Sequence, residues 1–340
     1  MGGEGRKVRI STKARRGCIV AGLFLLVLTV VALKTGAVDL TWGQLIRVLL
    51  HPPGADGRDR LVADVLWEIR LPRILLALGV GAALAMAGVG YQAVLNNVLA
   101  DPYLLGVSAG ASLGAVSVML GFHRFTHWVP PAAFLTAMLT VAVVLFLARV
   151  GGRYPPERLV LSGVVISSLL TAGVSVLLIL AQGQLKEAFF WLLGGFAQRG
   201  WVEWQAFWPY LVAGGLGLLL IPRELNLLSL GEEAAGNLGM AVEPFKVAVL
   251  VASSLLAAAA VAVGGVIGFV GLVVPHMARL IVGPDHHGLM AFAGLCGAVL
   301  LLGADFLARL MGEIPVGVLT ALLGGPFFLW LLRRGAMGGR

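Results

Sequence analysis

The chain has 340 residues, 59% hydrophobic and only 12% charged, where soluble domains carry about 25% charged residues. That leaves too little polar surface to cover a water-soluble globule, so lipid is the expected solvent. The formal net charge of +8 would suit nucleic acid in a soluble protein. Here the basic residues flank apolar runs, and no basic stripe with interleaved aromatics occurs, so the charge is read as membrane topology and nucleic acid is excluded as a partner.

The chain opens on a basic stretch (Arg6, Lys7, Arg9, Lys13, Arg15, Arg16) and an apolar run from Cys18 to Leu33. A signal peptide has this order, but no small-x-small cleavage site follows. The run is read as a retained first span behind a cytoplasmic N-terminus over 1–17. A helix needs about 20 apolar residues to cross the hydrocarbon core. Ten segments answer to this: 18–36, 73–95, 103–121, 130–149, 159–181, 203–221, 246–264, 267–283, 289–307 and 314–332. Val247–Ala278 contains no Asp, Glu, Lys or Arg and is too long for one span; Gly264, Gly265 and Gly268 are expected to divide it. The 47 glycines suit close helix contacts in lipid.

Between the first two spans, 37–70 is amphipathic (Trp42, Gln44, Arg47, His51, Asp56, Arg58) and is expected on the outer surface. Its Pro52-Pro53-Gly54 tract marks a turn between two short helices. Segment 182–202 is read similarly, with Trp191, Trp201 and Trp204 in an interfacial aromatic belt. Inner segments hold 15 Lys and Arg and outer ones 10, six of these in the long 34–73 connection. With an even number of spans, this bias puts both termini, including the tail over 333–340, in the cytoplasm. Ten spans over 18–332 divide into two five-helix halves, which an odd number per half would relate by inverted topology.

The chemistry of an enzyme is missing. No G-x-x-x-x-G-K-[ST] loop, HExxH or Ser-His-Asp set stands out, so no catalytic or metal residue is assigned. Cys18 and Cys296 lie in apolar runs without CxxC spacing and read as structural. Asp305 is the main intramembrane carboxylate, as an ion-coupled secondary carrier would need. Arg309 one turn on makes a local i,i+4 ion pair the simpler reading. His276 follows Pro275 and is read as satisfying a freed carbonyl rather than binding metal.

The longest polar interruption on the inner side is 222–244, PRELNLLSLGEEAAGNLGMAVEP. Ser229 and Glu232 have capping-box spacing that would start a short helix, with Gly236 and Gly239 to end it. Leu225, Leu227, Leu228 and Leu230 would give the loop an apolar face. An interfacial helix on lipid is one reading. Glu232 and Glu233 weigh against anionic headgroups and toward a cytoplasmic partner.

Leu225–Gly239 resembles the ATPase-coupling loop of the FecCD-type permeases of ABC importers for iron chelates, haem and cobalamin. Arg70-Leu71-Pro72-Arg73, Asn97 to Pro102 followed by Leu105-Gly106-Val107-Ser108, Gly268 to His276 with Arg279, Asp305 to Arg309, Pro315-Val316-Gly317 and Gly324-Gly325-Pro326-Phe327 resemble that family's motifs in order. The resemblance implies an all-α, ten-helix, cobalamin-permease-like bundle working as a homodimer. Two separate ATPases would use ATP and Mg2+ inside, and a substrate-binding protein would dock outside. It implies ATPase coupling by Leu225, Leu228, Leu230, Gly231, Glu232, Glu233, Ala234 and Gly239, and binding-protein docking by Arg70, Arg73 and Arg309, for which local pairing with Glu68 and Asp305 is the alternative. The inner gate would involve Asn97, Leu99, Pro156 and Glu157. Val98 stands where the family has proline, and Tyr154-Pro155-Pro156-Glu157 replaces the small hydroxyl residues expected of a gate.

Overall fold

A computed structural model of the chain describes residues 11–36, 40–50, 60–121, 126–181 and 185–333. The Pro-Pro-Gly tract and both ends of the chain lie outside them. Among the described residues the chain is almost wholly helical.

Helix α1 (Thr12–Lys34) comes first, capped by the Ser11 side chain on the Ala14 N–H. The outer segment contributes α2 (Trp42–Leu50) and α3 (Arg60–Asp64), and a π-helical turn (Val65–Arg70) runs on into α4 (Leu71–Val94). Then follow α5 (Val107–Gly121), α6 (Val129–Ala148), α7 (Pro156–Leu180), α8 (Leu185–Leu192) and α9 (Trp201–Leu219). Two short helices, α10 (Pro222–Leu228) and α11 (Glu232–Asn237), precede α12 (Val242–Gly264), α13 (Val270–Val282), α14 (His286–Leu310) and α15 (Val316–Arg333).

Each of the ten expected segments coincides with a helix. Six are long and apolar enough to cross a membrane, and α9 with α10 makes a seventh bent by 58°; α5, α13 and the apolar part of α15 are shorter. The glycines do divide Val247–Ala278, but α13 starts late. Gly265 (φ 69°) and Phe269 (φ 70°) take left-handed conformations, and 265–269 runs non-helically into the protein. Partners for its backbone come from within the chain: Gly265 N–H donates to Val261 O (2.8 Å), Ile267 O accepts from the Tyr103 hydroxyl (3.0 Å) and Phe269 O accepts from Val273 N–H (2.8 Å). Irregular backbone is tolerated at membrane depth only where protein surrounds it in this way.

Helix α4 is the axis of the bundle, 83% buried over its apolar window. It packs on α14, α12, α13 and α9. At the α4–α14 crossing, a Cβ on Gly81 would fall on the Gly297 carbonyl, and a Cβ on Gly297 on that of Gly81. Contact this close needs a residue without a side chain on both helices. By contrast α1 and α7 are each only 11% buried over their windows and present apolar side chains outward. Trp191 departs from the expected interfacial belt. It is 5% exposed within the core, while the Trp201 indole donates to the Trp67 carbonyl (2.8 Å).

Candidate functional site: an inner helical block and an outer ion cluster

The inner block begins where α9 ends. Pro222 is tolerated at the first turn of α10 because the N–H it lacks has no intrahelical partner there. α10 lies on α14 and α4, and buries Leu225 and Leu228. These two leucines anchor the block from within, and the exposed apolar residues are Leu230 and Leu238. Ser229 does not cap the next helix. It closes α10, its hydroxyl donating to the Leu225 carbonyl (2.9 Å). The break falls at Gly231, whose φ of 104° and ψ of 151° suit glycine, and Gly231 is the N-cap of α11. Glu232 and Glu233 occupy the first turn of α11, where the helix dipole favours carboxylates. Gly239 (φ 85°) ends α11 as expected, donating to Gly236 O (2.9 Å) while Met240 N–H reaches Ala235 O (3.1 Å). Ala234 is half-buried behind this turn.

Two polar anchors tie the block to the bundle. Asn226 donates to Asp285 Oδ1 (2.7 Å) and accepts from the His286 N–H (3.0 Å), gripping the start of α14. Burial disfavours the Asp285 carboxylate, but hydrogen bonds from Asn226 and His287 outweigh it and hold its pKa below the ordinary value. The second anchor is Lys246 on α12, which is fully buried. Its ammonium donates to Glu232 Oε1 (2.7 Å), to the Tyr154 carbonyl (2.8 Å) and to Glu243 Oε1 (3.4 Å). Glu243 Oε2 in turn accepts from the Tyr154 N–H (2.9 Å). Neither anchor was foreseen. The available signal was a cation, Lys246, one turn into α12 and directly ahead of its uncharged run.

The expected gate residues lie on two inner connections. Asn97 is exposed in the α4–α5 loop, its side chain accepting from the half-buried Leu99 N–H (2.9 Å). Pro156 is the first residue of α7, and Glu157 beside it is exposed. Deeper in the α4–α5 loop, burial lifts the Asp101 carboxyl to about 6, against the pull of the Tyr103 N–H.

The three arginines expected to meet a binding protein are turned into the bundle, and two of them pair with Asp305 as the alternative had it. Arg70 is 5% exposed and donates to the carbonyls of Leu33 (2.6 Å) and Lys34 (2.9 Å), closing the end of α1. Arg73 reaches both Asp305 (Nη2–Oδ1 2.9 Å) and Glu313 (Nη2–Oε2 2.8 Å). The expected Arg309–Asp305 pair is present at 3.4 Å, and Arg309 also donates to the Ala32 carbonyl (3.2 Å). The physical reason is compensation: a fully buried Asp305 carboxylate needs charged partners. Glu313, with its side chain half exposed, is the member of this cluster that reaches the surface. Beside it is an outer cavity of about 550 Å³ lined by Arg73, Trp191, Phe196, Arg199 and Glu313 among others. His276 does not satisfy a freed carbonyl. It is buried, and neither ring nitrogen has a hydrogen-bond partner. Among the described residues no group of three or more His, Cys, Asp or Glu is placed to hold a metal ion.

The FecCD transport family model matches residues 24–334. The cobalamin import system permease protein BtuC of Halobacterium salinarum is 40% identical, covering 89% of this chain and 84% of that protein. The hemin transport system permease protein HmuU of Yersinia pestis is 40% identical over 93% of this chain and 96% of its own. A solved metal-chelate type ABC transporter in an inward-facing conformation has the same fold, with a TM-score of 0.83 at 32% identity over 94% of this chain and 99% of that one. Identity at this level along nearly whole chains, on a bundle with helices built for lipid, shows that this chain belongs to the FecCD transport family and is a multi-pass membrane transport permease.

Proposed function

We propose that the chain imports an iron chelate, haem or cobalamin across the cytoplasmic membrane as the permease subunit of an ABC importer. In this reading it crosses ten times, in two five-helix halves of inverted topology, with both termini cytoplasmic. Two copies enclose the path, two separate ATPase subunits dock inside and hydrolyse ATP with Mg2+, and a substrate-binding protein delivers the cargo outside. The substrate class is supported by relatives that carry cobalamin and hemin in their names.

The observation that carries the reading is the α10–α11 block. It stands at the inner end of the bundle, fixed below by Leu225, Leu228, Asn226 and Lys246, and presents Leu230, Gly231, Glu233 and Leu238 outward. A rigid, part-apolar, part-acidic knob suits a protein partner better than an anionic membrane surface. On the outside, Arg70, Arg73 and Arg309 act from below the surface. They fix the ends of α1, α4 and α14 and orient Glu313 where a binding protein would dock. Asn97, Leu99, Pro156 and Glu157 stand at the inner end of the path. Helix α7, so little covered by its own chain, supplies its wall.

The test is co-purification with a Walker-type ATPase, followed by uptake in proteoliposomes of a ferric chelate, haem or cobalamin presented with the binding protein. ATP-dependent uptake is expected. Transport by this chain alone along an ion gradient would overturn the reading.

A further inference from the structure

The inner anchor at Lys246 joins three separate elements of the chain, one of them 92 residues away. Glu232 belongs to the first turn of α11 and has a side chain 44% exposed; Lys246 belongs to α12 and is fully buried. Tyr154 belongs to the α6–α7 connection, two residues ahead of α7. Lys246 takes the Tyr154 carbonyl and Glu243 takes the Tyr154 N–H, so both backbone groups of one residue are held from α12. Pro155 and Pro156 then lead directly into α7, the first as its N-cap and the second as its first residue. Two consecutive prolines fix φ near −65° and leave little slack between Tyr154 and the helix. Helix α7 packs within the chain chiefly on α5 and α6, and only 11% of its window is buried, so few contacts within the chain oppose its tilting.

We propose that Lys246 and Glu243 form a clamp that carries displacement of the α10–α11 block to the inner end of α7. Glu232 is the input, because it alone of the clamp's carboxylates lies on the exposed block. The Tyr154 peptide groups are the output. Lys246 is therefore a positioning residue: it is buried and meets the expected ATPase surface only through Glu232. A fully buried ammonium with three acceptors on three segments cannot follow one of them without pulling the others. This inference rests on the importer reading for the source of the displacement, whereas the clamp itself is a property of the isolated chain.

Two measurements separate the two. In the assembled importer, nitroxides at Glu157→Cys and Ile281→Cys, in a Cys18→Ser/Cys296→Ser background, report α7 against α13. ATP binding is expected to change this distance in the wild type. In Lys246→Met most of the change should be lost, while hydrolysis by the bound ATPase continues. Lys246→Arg, which keeps charge and donors, should restore it. An equal change in Lys246→Met and wild type, or none in the wild type, would overturn the clamp. Failure of the wild-type chain to bind an ATPase would overturn the importer reading instead. The second measurement needs no partner and stands even if Lys246→Met does not fold. Amide exchange at Tyr154 in the chain alone should quicken about tenfold or more in Glu243→Ala, since one protecting bond is lost. Unchanged protection would overturn the clamp irrespective of the importer.

Discussion

Asp305 is buried without exposure and shares Arg73 with the half-exposed Glu313. Breaking a buried pair by removing one member costs about 3–5 kcal/mol, because the other charge is left behind. Arg73→Met is therefore expected to lower thermal stability sharply in detergent, and Arg73→Met with Asp305→Leu to recover part of the loss. Equal melting of the single and double variants would refute this. Asp101 gives a pH signature. Its pKa is raised to about 6 by burial, so between about pH 4 and 6 the folded chain keeps a proton that the unfolded chain has released. Stability then falls as pH rises through that interval. Asp101→Asn removes the burden, and should melt a few degrees higher than wild type at pH 8 and converge with it near pH 4. At this scale the sequence was least legible. The Arg309–Asp305 pair could be read from i,i+4 spacing, but Arg73 meets Asp305 across 232 residues. No local pattern encodes that pairing, so sequence alone left docking and local pairing both open for Arg73.

Helices were the most legible feature, since each long apolar run became one. What escaped was the backbone between them. The 265–269 stretch is as apolar as the helices flanking it, and composition cannot distinguish extended chain buried in protein from helix buried in lipid. The capping box failed for a similar reason. Ser229 and Glu232 have the right spacing, but Pro222 starts a helix earlier and Gly231 supplies the break. A Cβ on Gly231 would meet nothing within 4 Å, so the cost of Gly231→Ala is conformational alone, about 1–3 kcal/mol. The expected result is an intact bundle with weakened coupling of hydrolysis to uptake. Unchanged uptake per ATP would sink the prediction. At the α4–α14 crossing the outcome should differ. Gly81→Leu has a carbonyl in its way, and is expected to abolish accumulation of folded protein, as read by size-exclusion of a fluorescent fusion. Gly22→Leu on α1, with nothing within 4 Å, should accumulate normally.

At the scale of the molecule, coverage is uneven. α4 is enclosed by its own chain, while α7 is nearly bare. If two copies enclose the path, the bare face of α7 meets the second copy. Ala172→Cys is then expected to crosslink two chains in membranes, and Leu135→Cys on the exposed face of α6 is not. The reverse pattern would place the path elsewhere. The family was legible from the sequence because its motifs mark turns and helix crossings, which have few alternative solutions. The clamp at Lys246 was not, because two of its acceptors reach it through tertiary folding.

The placing of α1 bears on how the chain is made. α1 rests mainly on α14 and, less, on α13, among the last helices to leave the ribosome. Its C-terminal carbonyls are closed earlier, by Arg70 at the entrance to α4, while the Arg309 bond to Ala32 must await α14. During synthesis α1 must therefore wait in the bilayer with its final seat unbuilt. Its apolar side chains and few demands on neighbours suit it to wait there, and its docking follows the arrival of α14.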